Sequence, residues 1–347
     1  MESCETPLDY RQLCTCRRRY RKRRSIQQHR TRYPLERVKT PNATLEDMLT
    51  CFEFFLPLVF DNLELLEHLA SDFVSRQCEQ NVIYCEVRYS PHLFAQNPRK
   101  AHEAVTRGLR RGCNQCPTVT VNQILCAINF RPDWSMDVVD MADEFRNDFP
   151  CAVVGIDVAS GENHFSADSP LRKGHYDMCQ RAQKLGLNIT IHAGETPHSA
   201  QNVQNAIGNY GAKRIGHGYH MAKYPEIMDY VKAQNIHIEV CPTSSVETGA
   251  WQKTVWTDHP ACEFQKRGIS QSLSSDDPAV FNTSLTWQYR IALKKMGWSK
   301  EDVIQMTQHA ISAAFISEAE KASLREQVET GCYDKPHLMF CDRVHYE

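Results

Sequence analysis
Short apolar strands alternating with helical segments predict an α/β protein built on a parallel sheet covered on both faces. Three observations carry this expectation. Runs rich in β-branched residues recur seven times between residues 82 and 273, with segments of helical periodicity between them. The runs are nearly all apolar rather than alternating, as in Ala152-Val153-Val154-Gly155-Ile156-Asp157-Val158, and that is how a strand buried on both faces reads. Ionisable residues gather where the strands end. Seven strands leave two architectures open: an open doubly wound sheet, or an eight-stranded (β/α) barrel short of one strand. No Gly-rich phosphate loop follows an early strand, which weighs against the dinucleotide-binding form of the first.

Residues 1–41 lack hydrophobic periodicity and contain Pro34 and Pro41, so they are expected to form a basic, disordered extension. Order begins at Thr44, a helix cap before Leu45, Met48, Leu49, Phe52, Phe55 and Leu56 at helical spacing. A second helix carries Leu63, Leu66, Leu69, Phe73 and Val74 on one face. The expected strands are then Val82–Tyr89, Asn122–Phe130, Ala152–Val158, a strand from Leu187, Arg214–His217, Ile236–Val240 and Ile269–Leu273. Between them come helices around Ala101–Arg111, Met136–Asn147, Arg172–Lys184, Ala200–Ile207, Glu226–Ala233 and Ala261–Lys266. Helices dominate from there to about residue 330, and residues 332–347 read as a tail.

Size and composition are ordinary for a globular chain: 347 residues, 41% hydrophobic and 24% charged. A formal net charge of -2 gives no overall attraction to nucleic acid. The local exception is Arg17 to Arg24, where seven of eight residues are Arg or Lys, a solvated arm or a targeting or nucleic-acid contact. Residues 1–10 are polar and acidic, without the apolar segment of a secretory signal. No stretch has the length of a membrane span. Fifteen scattered cysteines, several in strand-like runs (Cys85, Cys126, Cys151, Cys241), read as reduced thiols and point to a cytoplasmic protein. Asn42, Asn188 and Asn282 head glycosylation triplets, and the strand position of Asn188 argues against their use.

Chemistry collects at one end of the strands. Asp157 and Glu162 follow the third, His192 and Glu195 the fourth, His217 and His220 the fifth, Cys241-Pro242-Thr243 the sixth, and Asp276-Asp277 the seventh. In a barrel that rim holds the active site. Ala193 and Gly194 let the backbone turn after His192 without crowding it. Asp276-Asp277-Pro278 is also good turn chemistry, but adjacent carboxylates diverge, so one can bind a metal while the other meets a substrate. Imidazole and carboxylate suit zinc, whose bound water becomes a nucleophile near neutral pH. Glu195 would then move protons and His217 would orient or deprotonate the water. A cytidine-type deaminase pattern is also present in pieces, as His237-Ile238-Glu239 and Cys113-Asn114-Gln115-Cys116, but in reversed order and with no proline before Cys113.

Five stretches together closely resemble adenosine deaminase: Glu86-Val87-Arg88-Tyr89-Ser90-Pro91-His92, His192-Ala193-Gly194-Glu195, Arg214-Ile215-Gly216-His217-Gly218-Tyr219-His220, Cys241-Pro242-Thr243-Ser244-Ser245, and Ser272-Leu273-Ser274-Ser275-Asp276-Asp277-Pro278. The resemblance runs over residues 44–330, and its first stretch looks more like adenosine deaminase than its AMP- or adenine-acting relatives. It implies a (β/α)₈ barrel with one Zn2+ that converts adenosine and deoxyadenosine to inosine and deoxyinosine, releasing ammonia. By motif, His192 and Asp276 would be zinc ligands, and Glu195 would protonate the purine ring nitrogen beside the attacked carbon. His217 would hold the hydroxide and Asp277 would hydrogen-bond the five-membered ring. Where the family has a glycine giving a backbone N–H to the base, this chain has Ser160, with Gly161 one residue on.

The front of the chain departs from that pattern. The family's first strand ends in His-x-His, which supplies two further zinc ligands, and no His-x-His occurs in this sequence. The expectation is therefore an incomplete TIM-type barrel over residues 42–331 with the first strand missing and zinc binding weakened by the loss of two ligands. The partner expected is a small purine nucleoside, with no membrane and, apart from the basic arm, no nucleic acid; the sequence says nothing of oligomeric state. The alternative is an inactive purine-binding or scaffold protein on the same fold.

Overall fold
The computed structural model describes residues 43–252 and 254–334, the last four by backbone alone. The expected extension at residues 1–41, with its basic run, and the tail beyond residue 334 lie outside the described residues. Seven parallel strands run in sequence order: β1 (Tyr84–Tyr89), β2 (Thr120–Ile128), β3 (Val153–Ala159), β4 (Asn188–Ala193), β5 (Arg214–His217), β6 (His237–Val240) and β7 (Gln271–Leu273). Each pairs with the next, without the reversal of order that defines a doubly wound sheet.

The sheet curls, and the side chains on its inner face prove it. Arg88 on β1 donates to Asp157 on β3 at 3.0 Å and also to Glu239 on β6. Arg214 on β5 reaches back to Glu86 on β1 and pairs with Glu239 at 2.8 Å. In a flat sheet β1 and β6 would lie about 24 Å apart at the usual strand spacing, far beyond the reach of an Arg–Glu pair. The strands therefore form an incomplete (β/α) barrel, and among the described residues β1 and β7 each keep one unpaired edge. Phe315 closes the N-terminal mouth: its N–H donates to Glu86 at 2.6 Å, and the Arg214 guanidinium stacks 3.7 Å over its ring.

Local chemistry accounts for most element boundaries. Thr44 caps its helix through a capping box with Asp47. The single helical pattern beyond it is broken into Leu45–Leu49 and Phe52–Val59, because Thr50 turns its hydroxyl back onto the Asp47 carbonyl at 2.7 Å. The helix expected near Ala101–Arg111 spans Pro98–Gln115, started by Asn97 as cap and Pro98 at the first position. Gly108 and Gly112 let that helix lie against Leu63–Glu79; a Cβ at Gly108 would fall 2.2 Å from the Glu67 carbonyl oxygen. A short helix, Pro242–Glu247, follows β6 in a stretch to which the sequence reading gave no element. The outer layer packs Val138, Met141, Met178, Ala182, Val203, Ile227, Val231 and Phe264 against Leu125, Ile156, Ile189, Ile191, Ile215 and Ile238 of the strands. Helices Leu285–Lys294, Lys300–Ala313 and Glu318–Asp334 are the last elements of the described residues.

Candidate active site
The C-terminal ends of β4, β5 and β7 bring His192, His217 and Asp276 together. One donor atom from each lies within 4.8 Å of the others, and this is the group of metal-type side chains found among the described residues. Strand register sets the pair of imidazoles, because His192 stands opposite Gly216 and Ala193 opposite His217. With no side chain at Gly216, the ring of His192 has room across it; a Cβ there would sit 3.5 Å from the ring. His217 (φ 72°) and Asp276 (φ 56°) both take left-handed backbone conformations where their strands end, a strain of about 1–3 kcal/mol each that the surrounding packing sustains.

A buried relay stands behind His192. Its Nδ1 lies 3.0 and 3.2 Å from the two Asp157 oxygens, and Arg88 holds the same carboxylate from the far side. Burial opposes charging His192, but the Asp157 carboxylate overcomes it and lifts the imidazole up to about 9. Burial works the other way on Asp157, and the His192 and Arg88 charges bring its carboxyl below the usual range. The second imidazole behaves oppositely. Burial pushes His217 down to about 4 despite Asp276. Its Nδ1 is buried without a hydrogen-bond partner and its Nε2 stands 3.6 Å from Glu195.

Two carboxyls at the rim hold protons near neutral pH. Burial, helped by the Asp276 charge, raises Glu195 to about 8 and Asp277 to about 7. Glu195 is thus a neutral acid beside a neutral imidazole, an arrangement that can give and take protons. Ser160 (φ 69°) and Gly161 (φ 114°) form the turn leaving β3, between Asp157 and Glu162, and do not belong to the imidazole–carboxylate group. The imidazole of His192 and the carboxylate of Asp276 suit zinc, His217 stands beside them in the same group, and a carboxylate behind a ligating imidazole is a usual support.

Sequence reasoning placed Asp157 and Glu162 near the site without giving them work, and named Arg88 only within the first resembling stretch. The available signal was chemical: an acid inside the otherwise apolar β3 needs a buried partner. His237, at the start of β6, bonds Ser270 and Ser272, both at 2.8 Å, while Glu239 lies in the barrel interior bound by Arg88 and Arg214. Cys113 and Cys116 lie at the end of the Pro98–Gln115 helix. The cytidine-type fragments are therefore not assembled into one site.

A parallel α/β barrel with histidines and acids at its C-terminal rim defines the class of metal-dependent hydrolases. The chain belongs to the adenosine deaminase family, whose model matches residues 19–331. That match begins inside the stretch set apart above as an extension. The adenosine deaminase of Xenopus tropicalis is 34% identical over 296 residues, covering 81% of this chain and 80% of the relative. Among solved structures, an adenine deaminase from Arthrobacter aurescens superposes with a TM-score of 0.74 at 21% identity, covering 85% of this chain and 87% of that one. A zinc-bound amidohydrolase from Burkholderia ambifaria gives 0.68 at 21% identity, covering 78% and 73%. At such identities these two structures show the shared fold alone.

Proposed function
We propose that this chain deaminates adenosine and deoxyadenosine hydrolytically, giving inosine or deoxyinosine and ammonia. The observation that carries the reading is the convergence of His192, His217 and Asp276 beside a protonated Glu195. His192 and Asp276 would hold one zinc ion, with the His217 nitrogen within the same 4.8 Å group. Zinc bound there supplies Lewis-acid activation of the attacking water.

The remaining work falls to side chains. Glu195, a neutral acid at about pH 7, gives its proton to the purine ring nitrogen next to the amino-bearing carbon. Water oxygen bonds to that carbon, one of its protons passes by way of His217 to the amino group, which leaves as ammonia as the C–N bond breaks, and the other returns to Glu195 as the C=O bond forms. His217, kept neutral by burial, orients the attacking water through a ring nitrogen. Asp277, which also retains a proton near neutrality, donates a hydrogen bond to the five-membered ring. A backbone N–H at Ser160 or Gly161 would meet the base from the β3 side, and their left-handed turn exposes main chain there.

The test uses the purified full chain: zinc content together with loss of adenosine absorbance. Bound zinc and turnover are expected, both reduced by the two missing ligands, and Glu195→Gln should lower the remaining kcat by about 10²–10⁴ with folding intact. A folded chain with neither zinc nor turnover would sink the deaminase and leave a purine-binding or scaffold protein on this fold.

A further inference from the structure
Glu162 lies on the loop after β3, buried at 6% exposure and outside the imidazole–carboxylate group. Five hydrogen bonds end on its carboxylate. Oε1 accepts from the backbone N–H of Glu195 at 2.9 Å, from that of Thr196 at 2.8 Å and from the Thr196 hydroxyl at 3.0 Å. Oε2 accepts from the Gly194 N–H at 2.9 Å and the Asn202 side-chain amide at 2.8 Å. Three consecutive amides thus converge on one anion, a backbone nest closed over a carboxylate. Bonds of this kind, with a charged acceptor, are roughly twice as strong as neutral ones.

The nest is specific to this turn. Gly194 adopts φ 74°, and a Cβ there would meet Val203 Cγ2 at 2.8 Å and Gly218 Cα at 3.0 Å. Any other residue would open the turn that Glu162 binds. The middle amide of the three belongs to Glu195, so the clamp acts on the backbone that carries the proton donor. Asn202 ties the same carboxylate to the helix Ala200–Gly208. The loop after β3, the loop after β4 and the following helix therefore meet at one side chain.

We propose that Glu162 is a positioning residue: it fixes the Gly194–Thr196 turn and through it the place of the Glu195 carboxyl at the site. The proposal rests on the reading of Glu195 as the proton donor in deamination. A displacement of about 1 Å in a reacting group lowers turnover on the order of 10²-fold, whereas a carboxylate that only holds two loops together would affect the amount of folded protein. These two roles separate experimentally.

The experiment compares the full-length wild type with Glu162→Gln and Asn202→Ala, reading kcat and KM for adenosine, hydrogen exchange of the peptide spanning residues 193–199, and the thermal midpoint. Gln keeps one acceptor oxygen and turns a donor toward N–H groups that need an acceptor. Glu162→Gln should lower kcat about 30- to 100-fold with KM within about threefold, and speed exchange in that peptide selectively. Asn202→Ala removes only the outermost bond and should give about a threefold loss; it carries the test if the first variant does not fold. Unchanged exchange in the peptide, or activity lost only in proportion to folded protein, overturns the proposal. If the wild type does not turn over adenosine, the deaminase reading fails by itself, and the exchange measurement alone then decides whether Glu162 sets the turn.

Discussion

Each residue at the site is defined by what stands behind it. His192 can present one nitrogen to a ligand because Asp157 occupies the other, and Asp157 can remain ionised in the barrel because Arg88 faces it. Replacing Asp157 with Asn keeps the shape but removes the charge that fixes this tautomer. Zinc affinity of Asp157→Asn should fall about 10- to 100-fold, as measured by competition with a chromophoric chelator; an unchanged affinity would mean that His192 orients itself without help. His192, His217 and Asp276 were legible in the sequence because each ends a strand with a metal-type side chain. The partnership of Asp157 with His192 was not, because it spans 35 positions and is created by strand register. The same holds for Glu162, whose partners are backbone amides and leave no mark on residue identity beyond Gly194.

Among the elements, Arg214–His217 is recovered with the bounds the sequence suggested, and most other strands and helices within one to three residues. The Thr50 break and the helix after Cys241 escaped, since both turn on local competition for backbone hydrogen bonds that apolar periodicity does not report. What the strands do collectively depends on Arg214. It sits at the start of β5, with its side chain 8% exposed, and binds Glu86 of β1, Glu239 of β6 and the Ala313 carbonyl. Its ring contact with Phe315 adds the cover over the N-terminal mouth. Arg214→Met would leave Glu86 without its cation and Glu239 with Arg88 alone, and breaking a buried pair from one side costs about 3–5 kcal/mol. Urea unfolding of that variant should show the loss as a lowered midpoint at similar slope. A change under about 1 kcal/mol would mean that the carboxylates find other partners or water.

At the scale of the whole molecule, the strand pattern left a barrel and a doubly wound sheet both open and the family resemblance decided for the incomplete barrel, because the curl rests on contacts such as Arg88–Glu239, 151 positions apart, that a strand pattern does not show. The buried interior has a consequence for acid stability. Burial lowers nine imidazoles among the described residues, five of them far: His102 and His217 are pushed down to about 4, and His164, His237 and His259 to about 3. In the unfolded chain each returns to about 6.5, so their contribution is present above that pH and is lost as pH falls below it. Glu195 and Asp277 work in the opposite sense. Burial, then Asp276, raises them to about 8 and about 7, so in the folded protein they keep protons that an unfolded carboxylate releases above about pH 4. Between about pH 6 and 5, unfolding therefore takes up more protons on the imidazoles than the two carboxyls release. Each proton of that net uptake corresponds to about 1.4 kcal/mol of stability lost per pH unit, against the roughly 5–15 kcal/mol that domains possess. Urea midpoints of chelator-treated protein at successive pH values should fall steeply below pH 6, and the Glu195→Gln variant should fall more steeply still, because one proton held by the folded state is gone. A flat profile between pH 6 and 5 would mean that these imidazoles accept protons without unfolding and that the barrel interior is open to water.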